Sequence, residues 1–387
     1  MRRIGAIIVL AWVAGAVPAV HAQIPTSGEQ VAVGFGVDTA RSPNREILAL
    51  YQDYLSHRLD TIRPSPYWSR AEQQRWPIFD LLGGYIYQGF SHFTVVHLAP
   101  AVGLDSTYLI RTLVSSVDDS THDVRPLALY RVYAIREEGR WVLANALPRL
   151  TRTWSHETIQ RVTFIYPQAH SFARARAAAS AAFVDSLARA FELAPPSHVD
   201  YFFTDDLIET LAAMGLDFFP LGSDTIGGRS TTPDHLVFVG SSAAGESYRH
   251  ELAHVVLQPL ISRANTAFLV MEGLMTWTGS SAGRAYGDLL PGLAAYLDAH
   301  TDLTLDRIMT DPPPRDGTLD VGLDGFAVLG DMIYRAGGLA ALRDWLQAGR
   351  TPEAVLGAAA RLLRVPTNQL DGLWRRRVAA LAAQQSR

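Results

Sequence analysis

The hydrophobic positions change period part-way along the chain. In REILALYQDYLSHRLDTI (45–62), Ile47, Leu48, Tyr51, Tyr54 and Leu55 recur at helical spacing, and Pro64 and Pro66 end the run. A second helical stretch is expected from Ser69 into DLLGGYIYQGF (80–90). After it the pattern turns to strands: FTVVHLAP (93–100), STYLIRTLVSSV (106–117) and PLALYRVYAIREEGRWVLANALPRL (126–150), rich in Val, Ile, Thr and Tyr. Glu138-Gly139 sits between two of these runs as a hairpin turn.

From about residue 158 strands and helices alternate. RVTFIYP (161–167) predicts a strand, and the Ala-rich FARARAAASAAFVDSLARAFEL (172–193) a helix stopped by Pro195-Pro196. HVDYFFT (198–204) is strand-like, DDLIETLAAMG (205–215) a short helix, and HLVFVG (235–240) an apolar strand. ESYRHELAHVVLQPL (246–260) reads as a helix ending at Pro259, and a second apolar helix begins near Phe268. The rest, including 325–347 and 370–384, reads as amphipathic packing helices around the loop DPPPRDG (311–317). Arg174, Arg176, Asp185 and Arg189 interrupt the Ala-rich helix and rule it out as a membrane span.

Composition narrows the class. With 387 residues, 48% hydrophobic and 19% charged, the chain can bury a sizeable core. A net charge of −4 and the lack of any Lys/Arg-rich run argue against nucleic acid as a partner. There is no cysteine, so any metal is held by His and carboxylates. The N-terminus, MRRIGAIIVLAWVAGAVPAVHAQ, has a basic start, an apolar run from Ile4 to Val17 and a small-x-small site at Val20-His21-Ala22. It is expected to be a signal peptide (1–22), giving an exported protein, periplasmic or secreted, with no stable membrane insertion after cleavage.

The chemistry concentrates in RHELAH (249–254). Four residues apart on a helix, His250 and His254 leave the same face and can reach one metal ion. Glu251 lies about 100° around the helix, beside any water that ion holds. This is the H-E-x-x-H arrangement of two ligands and a general base. A third donor is available at Glu272, with seventeen residues between it and His254, followed by Gly273 on an apolar helix. His-His-Glu satisfies zinc with one position open. Asp205, Asp206 and Glu246 are candidates to orient a ligating imidazole. Arg249 is expected at the surface, and Trp141, Trp154, Trp345 and Trp374 in cores or interfaces.

HELAH followed by MEGLMTW resembles the gluzincin clan of zinc metallopeptidases, and in particular its peptidase-MA-like domains. The resemblance covers about residues 160–387. It implies Zn2+ held by His250, His254 and Glu272, Glu251 as general base, and a peptide or protein as substrate. It also implies an edge strand, placed here at HLVFVG, that pairs with an extended substrate. Many gluzincins add a Tyr or His that stabilises the oxyanion; Tyr286, Tyr296, His300 and Tyr334 are candidates by type. No G-x-M-E-N-like anchor for a free amine is present, which points to an endopeptidase. The helices and long strands before residue 158 resemble nuclear-transport-factor-2-like (SnoaL-like) cones, which carry no function by themselves.

The expected fold class is α+β. An accessory domain (23–157) of helices and a curved antiparallel sheet would precede a metallopeptidase domain (158–387) with a small mixed sheet and a mainly helical C-terminal part. Two other readings compete. In one, the chain is a non-enzymatic ligand- or protein-binding module on a degenerate scaffold, although such a scaffold would most simply have lost Glu251. In the other, the N-terminal domain has its own catalysis through His57, His92 and His97, whose spacing matches no motif.

Overall fold

A computed structural model describes residues 31–385 apart from 58–62, 78, 84–90, 105, 119, 221–226, 232–233, 263, 282 and 316–318. The expected signal peptide lies outside the described residues, as does the end of the second helical stretch (84–90), which is helical over Arg70–Arg75. The described chain mixes helix and sheet, in keeping with an α+β class.

The first sheet is a meander. β1 (Ala32–Val33) runs parallel to β2 (Ser91–Pro100), and β2, β3 (Thr107–Val117), β4 (Val124–Glu137) and β5 (Arg140–Asn145) follow in antiparallel order. The β4–β5 turn takes left-handed backbone at Glu138 (φ 50°) and Gly139 (φ 80°), as a two-residue hairpin requires. α1 (Asn44–Ser56) buries the stripe Ile47, Leu48, Tyr51, Tyr54 and Leu55 in one core with Val95, Val114, Tyr130 and Leu143 of the strands. α2 (Arg70–Arg75) is capped by Ser69, and the short α3 (Leu147–Leu150) closes this part.

The second sheet holds β6 (Ser155–Ile159), β7 (Val162–Tyr166), β8 (Val199–Thr204), β10 (Gly227–Thr231) and β11 (Leu236–Gly240), in the order β10-β11-β8-β7-β6. β7, β8 and β11 are parallel, and the two outer strands are antiparallel to their neighbours. α4 (Arg174–Ala190) connects β7 to β8, and α5 (Leu207–Met214) follows β8. The next strand, β9 (Leu216–Phe218), leaves this sheet and pairs with β4 of the first.

One expectation is corrected. HLVFVG is not the edge strand: β11 lies between β10 and β8, and the edge is β10. All five residues of β11 are buried, as its unbroken apolar run demands of a strand covered on both faces. β10 reads GGRST and has no apolar alternation to announce it.

The faces of the second sheet belong to different cores. Phe164, Tyr201, Phe203, Val237 and Val239 pack with the helices that follow. Ile165, Phe202, Leu236 and Phe238 point the other way, into the core of α1 and the first sheet. The two parts read from the sequence therefore share a core. The helical part comprises α6 (Arg249–Leu257), α7 (Phe268–Gly279), α8 (Tyr286–Ala299), α9 (Leu305–Thr310), α10 (Val321–Leu346), α11 (Pro352–Leu363) and α12 (Thr367–Gln385). α10 breaks at Gly337-Gly338, where Gly338 takes φ 64°. Among the described residues no helix is long and apolar enough to cross a membrane.

Candidate metal centre

α6 is fixed by its apolar residues. Leu252, Ala253, Val255, Val256 and Leu257 are buried in the helical core, so the face bearing His250 and His254 is turned toward α7. The two imidazole rings stand 5.1 Å apart, centroid to centroid. α7 brings Glu272 between them: its Oε2 lies 3.1 Å from His250 Nε2 and its Oε1 3.4 Å from His254 Nε2. One ligand atom from each of the three residues falls within 4.8 Å of the others, the single such group among the described residues.

Close helix contact sets this geometry. A Cβ on Gly279 would stand 2.6 Å from the Arg249 carbonyl oxygen and 2.9 Å from His250 Cα, so only glycine lets α7 come this near to α6. The next residue, Ser280, then presents its carbonyl 2.9 Å from His250 Nδ1. Since a carbonyl only accepts, His250 Nδ1–H donates and Nε2 is the atom that faces Glu272. Sequence reasoning missed Ser280, because the group that orients the ring is a backbone carbonyl. Of the side-chain candidates for that role, Glu246 instead bonds His170 Nε2 and the Ala173 amide. Asp206 caps α5, and Asp205 stands 3.6 Å from His170 Nδ1.

The electrostatics ask for a cation. Burial works against charge on His250, yet Glu272 overrides it and lifts the imidazole pKa to about 9. Burial likewise raises the Glu272 carboxyl, but His254 and His250 together hold it well below the usual carboxylate range. Two imidazole nitrogens and a carboxylate that turn their lone pairs toward one point are satisfied by protons or by a metal ion. Two ligands at about 2.1 Å from a tetrahedral zinc stand about 3.4 Å apart, close to the 3.1 and 3.4 Å between Glu272 and the two imidazoles. The donor set therefore fits zinc, with His250 Nε2, His254 Nε2 and a Glu272 oxygen as its ligands.

Glu251 follows His250 on the same turn and is buried. The edge strand β10 reaches it: a Cβ on Gly228 would meet Glu251 Cγ at 2.7 Å and the Tyr248 ring at 2.3 Å. The Arg229 guanidinium is buried enough to bring its pKa down to about 9, partly offset by the Glu251 charge. Asp320 caps α10, and its carboxyl is raised, first by burial and also by Glu272. Neither Gly228, Arg229 nor Asp320 carries a motif that a sequence reading recognises.

The other candidates lie elsewhere. Tyr286 faces Asp331, and burial and that carboxylate raise its phenol. Tyr296 stacks on His300 at 4.0 Å, and Tyr334 packs on Phe191 and Trp277. Arg249 is exposed and lies over the Phe183 ring. His92 and His97 are exposed on β2, and His57 stacks on Tyr67 at the end of α1.

No protein-family profile matches the chain, and no curated protein does. Among solved structures it is similar to an M1 zinc metallopeptidase from Deinococcus radiodurans. Against a point mutant of that enzyme the identity is 14% and the TM-score 0.31, over 73% of this chain and 63% of the other. Against a second crystal structure of the M1 zinc metallopeptidase from that organism the values are 12% and 0.29, over 76% and 62%. The chain thus spans less than two thirds of the length of either structure.

Proposed function

We propose that this protein is an exported zinc-dependent peptidase, acting as an endopeptidase on extended peptide segments. The observation that carries this reading is the convergence of His250, His254 and Glu272 beside a buried carboxylate, Glu251, that is not one of the three. A zinc ion bound there supplies Lewis acidity, polarising the scissile carbonyl and lowering the pKa of water to about 7. Glu251 holds the position of general base, taking a proton from the attacking water on a carboxylate oxygen and passing it to the leaving amine. Ser280 keeps His250 in the tautomer that leaves Nε2 free as a ligand. Among the described residues β10 pairs with β11 alone, so a substrate strand adds on its other side, beside Gly228 and Glu251. Export rests on the N-terminal segment (1–22), and the N-terminal sheet supports the site rather than supplying chemistry of its own.

The test is hydrolysis of casein, with and without a chelator, for the native chain and for Glu251→Gln. The native chain is expected to cleave casein and to lose this with chelator. Glu251→Gln should keep its zinc and lose at least about 100-fold in rate, the size of a general-base contribution. His250→Ala and Glu272→Ala should lose the metal, read by elemental analysis. A zinc-loaded native protein that cleaves neither casein nor a broad peptide library overturns the reading.

A further inference from the structure

β9 and β10 belong to different sheets, yet only residues 219–226 separate them. β9 is anchored in the first sheet, with Leu129 opposite Phe218 and Tyr130 opposite Leu216. Just before it, the Arg131 amide donates to the Gly215 carbonyl at 2.8 Å. The central residue of β9, Asp217, is held by two arginines of that sheet: Arg111 Nε stands 3.1 Å from Oδ2, and Arg131 bonds Oδ1 from β4. Asp217 is largely buried, and its carboxylate raises the pKa of Arg131.

The end of β10 that follows β9 in the chain is built from the most adaptable residues. It starts with Gly227-Gly228, the residue type that loses most conformational freedom on ordering. Among the described residues its ladder partner is β11 alone. Gly228 is also where the strand meets the site, against Glu251 and Tyr248, while Gly227 lies against Leu207 of α5.

We propose that Asp217, clasped by Arg111 and Arg131, is a positioning residue for substrate binding: the N-terminal sheet fixes the edge strand β10 beside Glu251 through β9. The inference rests on the peptidase reading, in which β10 is the strand that receives the peptide. A loosened β10 weakens docking in ground and transition states alike, so it raises KM and spares kcat.

The experiment compares the full-length zinc-loaded protein with Asp217→Asn, Arg111→Gln and a control, Asp185→Asn. The control removes the Arg161 ion pair of α4, remote from β10. Two quantities are read: KM and kcat on a peptide substrate, and amide hydrogen exchange over 227–231. Asp217→Asn is expected to raise KM about tenfold at nearly unchanged kcat, the loss of a charge-assisted hydrogen bond. Exchange over 227–231 should rise with zinc content unchanged, while Arg111→Gln gives a smaller change of the same sign and Asp185→Asn gives none. The inference is overturned if Asp217→Asn leaves exchange over 227–231 at the native level, or raises it no more than across the rest of the chain. Exchange needs no turnover, so a native protein that cleaves no peptide sinks the peptidase reading while the tether is still read separately.

Discussion

His250 divides its two ring nitrogens between a backbone carbonyl and a ligand position, and the division is made by one unusual residue. Ser280 sits at φ 110° and ψ 180°, a conformation that side chains disfavour and glycine adopts freely. The Ser280 side chain therefore strains the turn, while its carbonyl does the orienting. Ser280→Gly is expected to raise the melting temperature of the protein, by the equivalent of about 1 kcal/mol, and to leave zinc content unchanged. A fall in zinc content would show that the hydroxyl, not the carbonyl, matters. A second residue-scale expectation concerns Asp324, buried on α10 with one carboxylate oxygen unpartnered. Burial, and then Asp320, push its carboxyl from 3.8 up to about 8. The sign follows from linkage. The unfolded chain ionises near 3.8 and the folded chain near 8, so stability is full below the first value and falls as pH rises to the second. Asp324→Asn removes that loss. In metal-free protein its melting temperature should exceed the native one by more at pH 9 than at pH 5; a gap that stays constant or narrows contradicts this. At this scale the sequence showed HELAH and Glu272 because ligand chemistry resides in side chains at helical spacing. It could not show Ser280, whose contribution is a main-chain atom and a backbone angle.

Elements differ in how they announce themselves. α6 and α7 were legible because a long apolar face of fixed period must be buried, and that burial aims the opposite residues at each other. β11 was legible as a strand, but its place was not, since an apolar run says that both faces are covered and not which neighbour pairs with each edge. β9 and β10 were illegible: LDF and GGRST are too short or too polar to carry a period, and tertiary pairing alone makes them strands. The polarity of β10 has a reason. Gly228 has no side chain because Tyr248 and Glu251 occupy that space. Gly228→Ala would place a methyl at 2.3 Å from the Tyr248 ring and 2.7 Å from Glu251 Cγ, so strand or carboxylate must move. Displacing a general base by a fraction of an ångström is expected to lower kcat at least about tenfold. His250, His254 and Glu272 lie on α6 and α7 and should keep their zinc. Native kcat with a raised KM would show that β10 or the Tyr248 ring, and not Glu251, yields to the methyl.

On the scale of the whole molecule, the second sheet is a wall shared by two cores. The later helices cover one face, and the other is covered by α5, whose Leu207, Leu211 and Met214 join it to the core of α1 and the first sheet. Ile165, Phe202, Leu207, Leu211, Met214, Leu216, Leu236 and Phe238 belong to the N-terminal core although all lie beyond residue 158. Each buried apolar side chain of this size stabilises by roughly 1.5–3 kcal/mol. Even if half of that burial survived among the eight themselves, about 10 kcal/mol would be lost without the N-terminal part, comparable to the whole stability of a typical domain. The three candidate ligands would all be retained, and any metal bound there would offset only part of the loss. A chain of residues 158–387 alone is therefore expected to aggregate or to bind a hydrophobic dye strongly, with no cooperative thermal transition. Co-expression with residues 23–157 should restore a soluble, zinc-containing complex, because β9 and the shared wall re-form the contacts without a peptide bond at 157–158. If the isolated 158–387 chain instead melts cooperatively at the native temperature, the eight residues are covered by another route and the shared core is not what holds the molecule together.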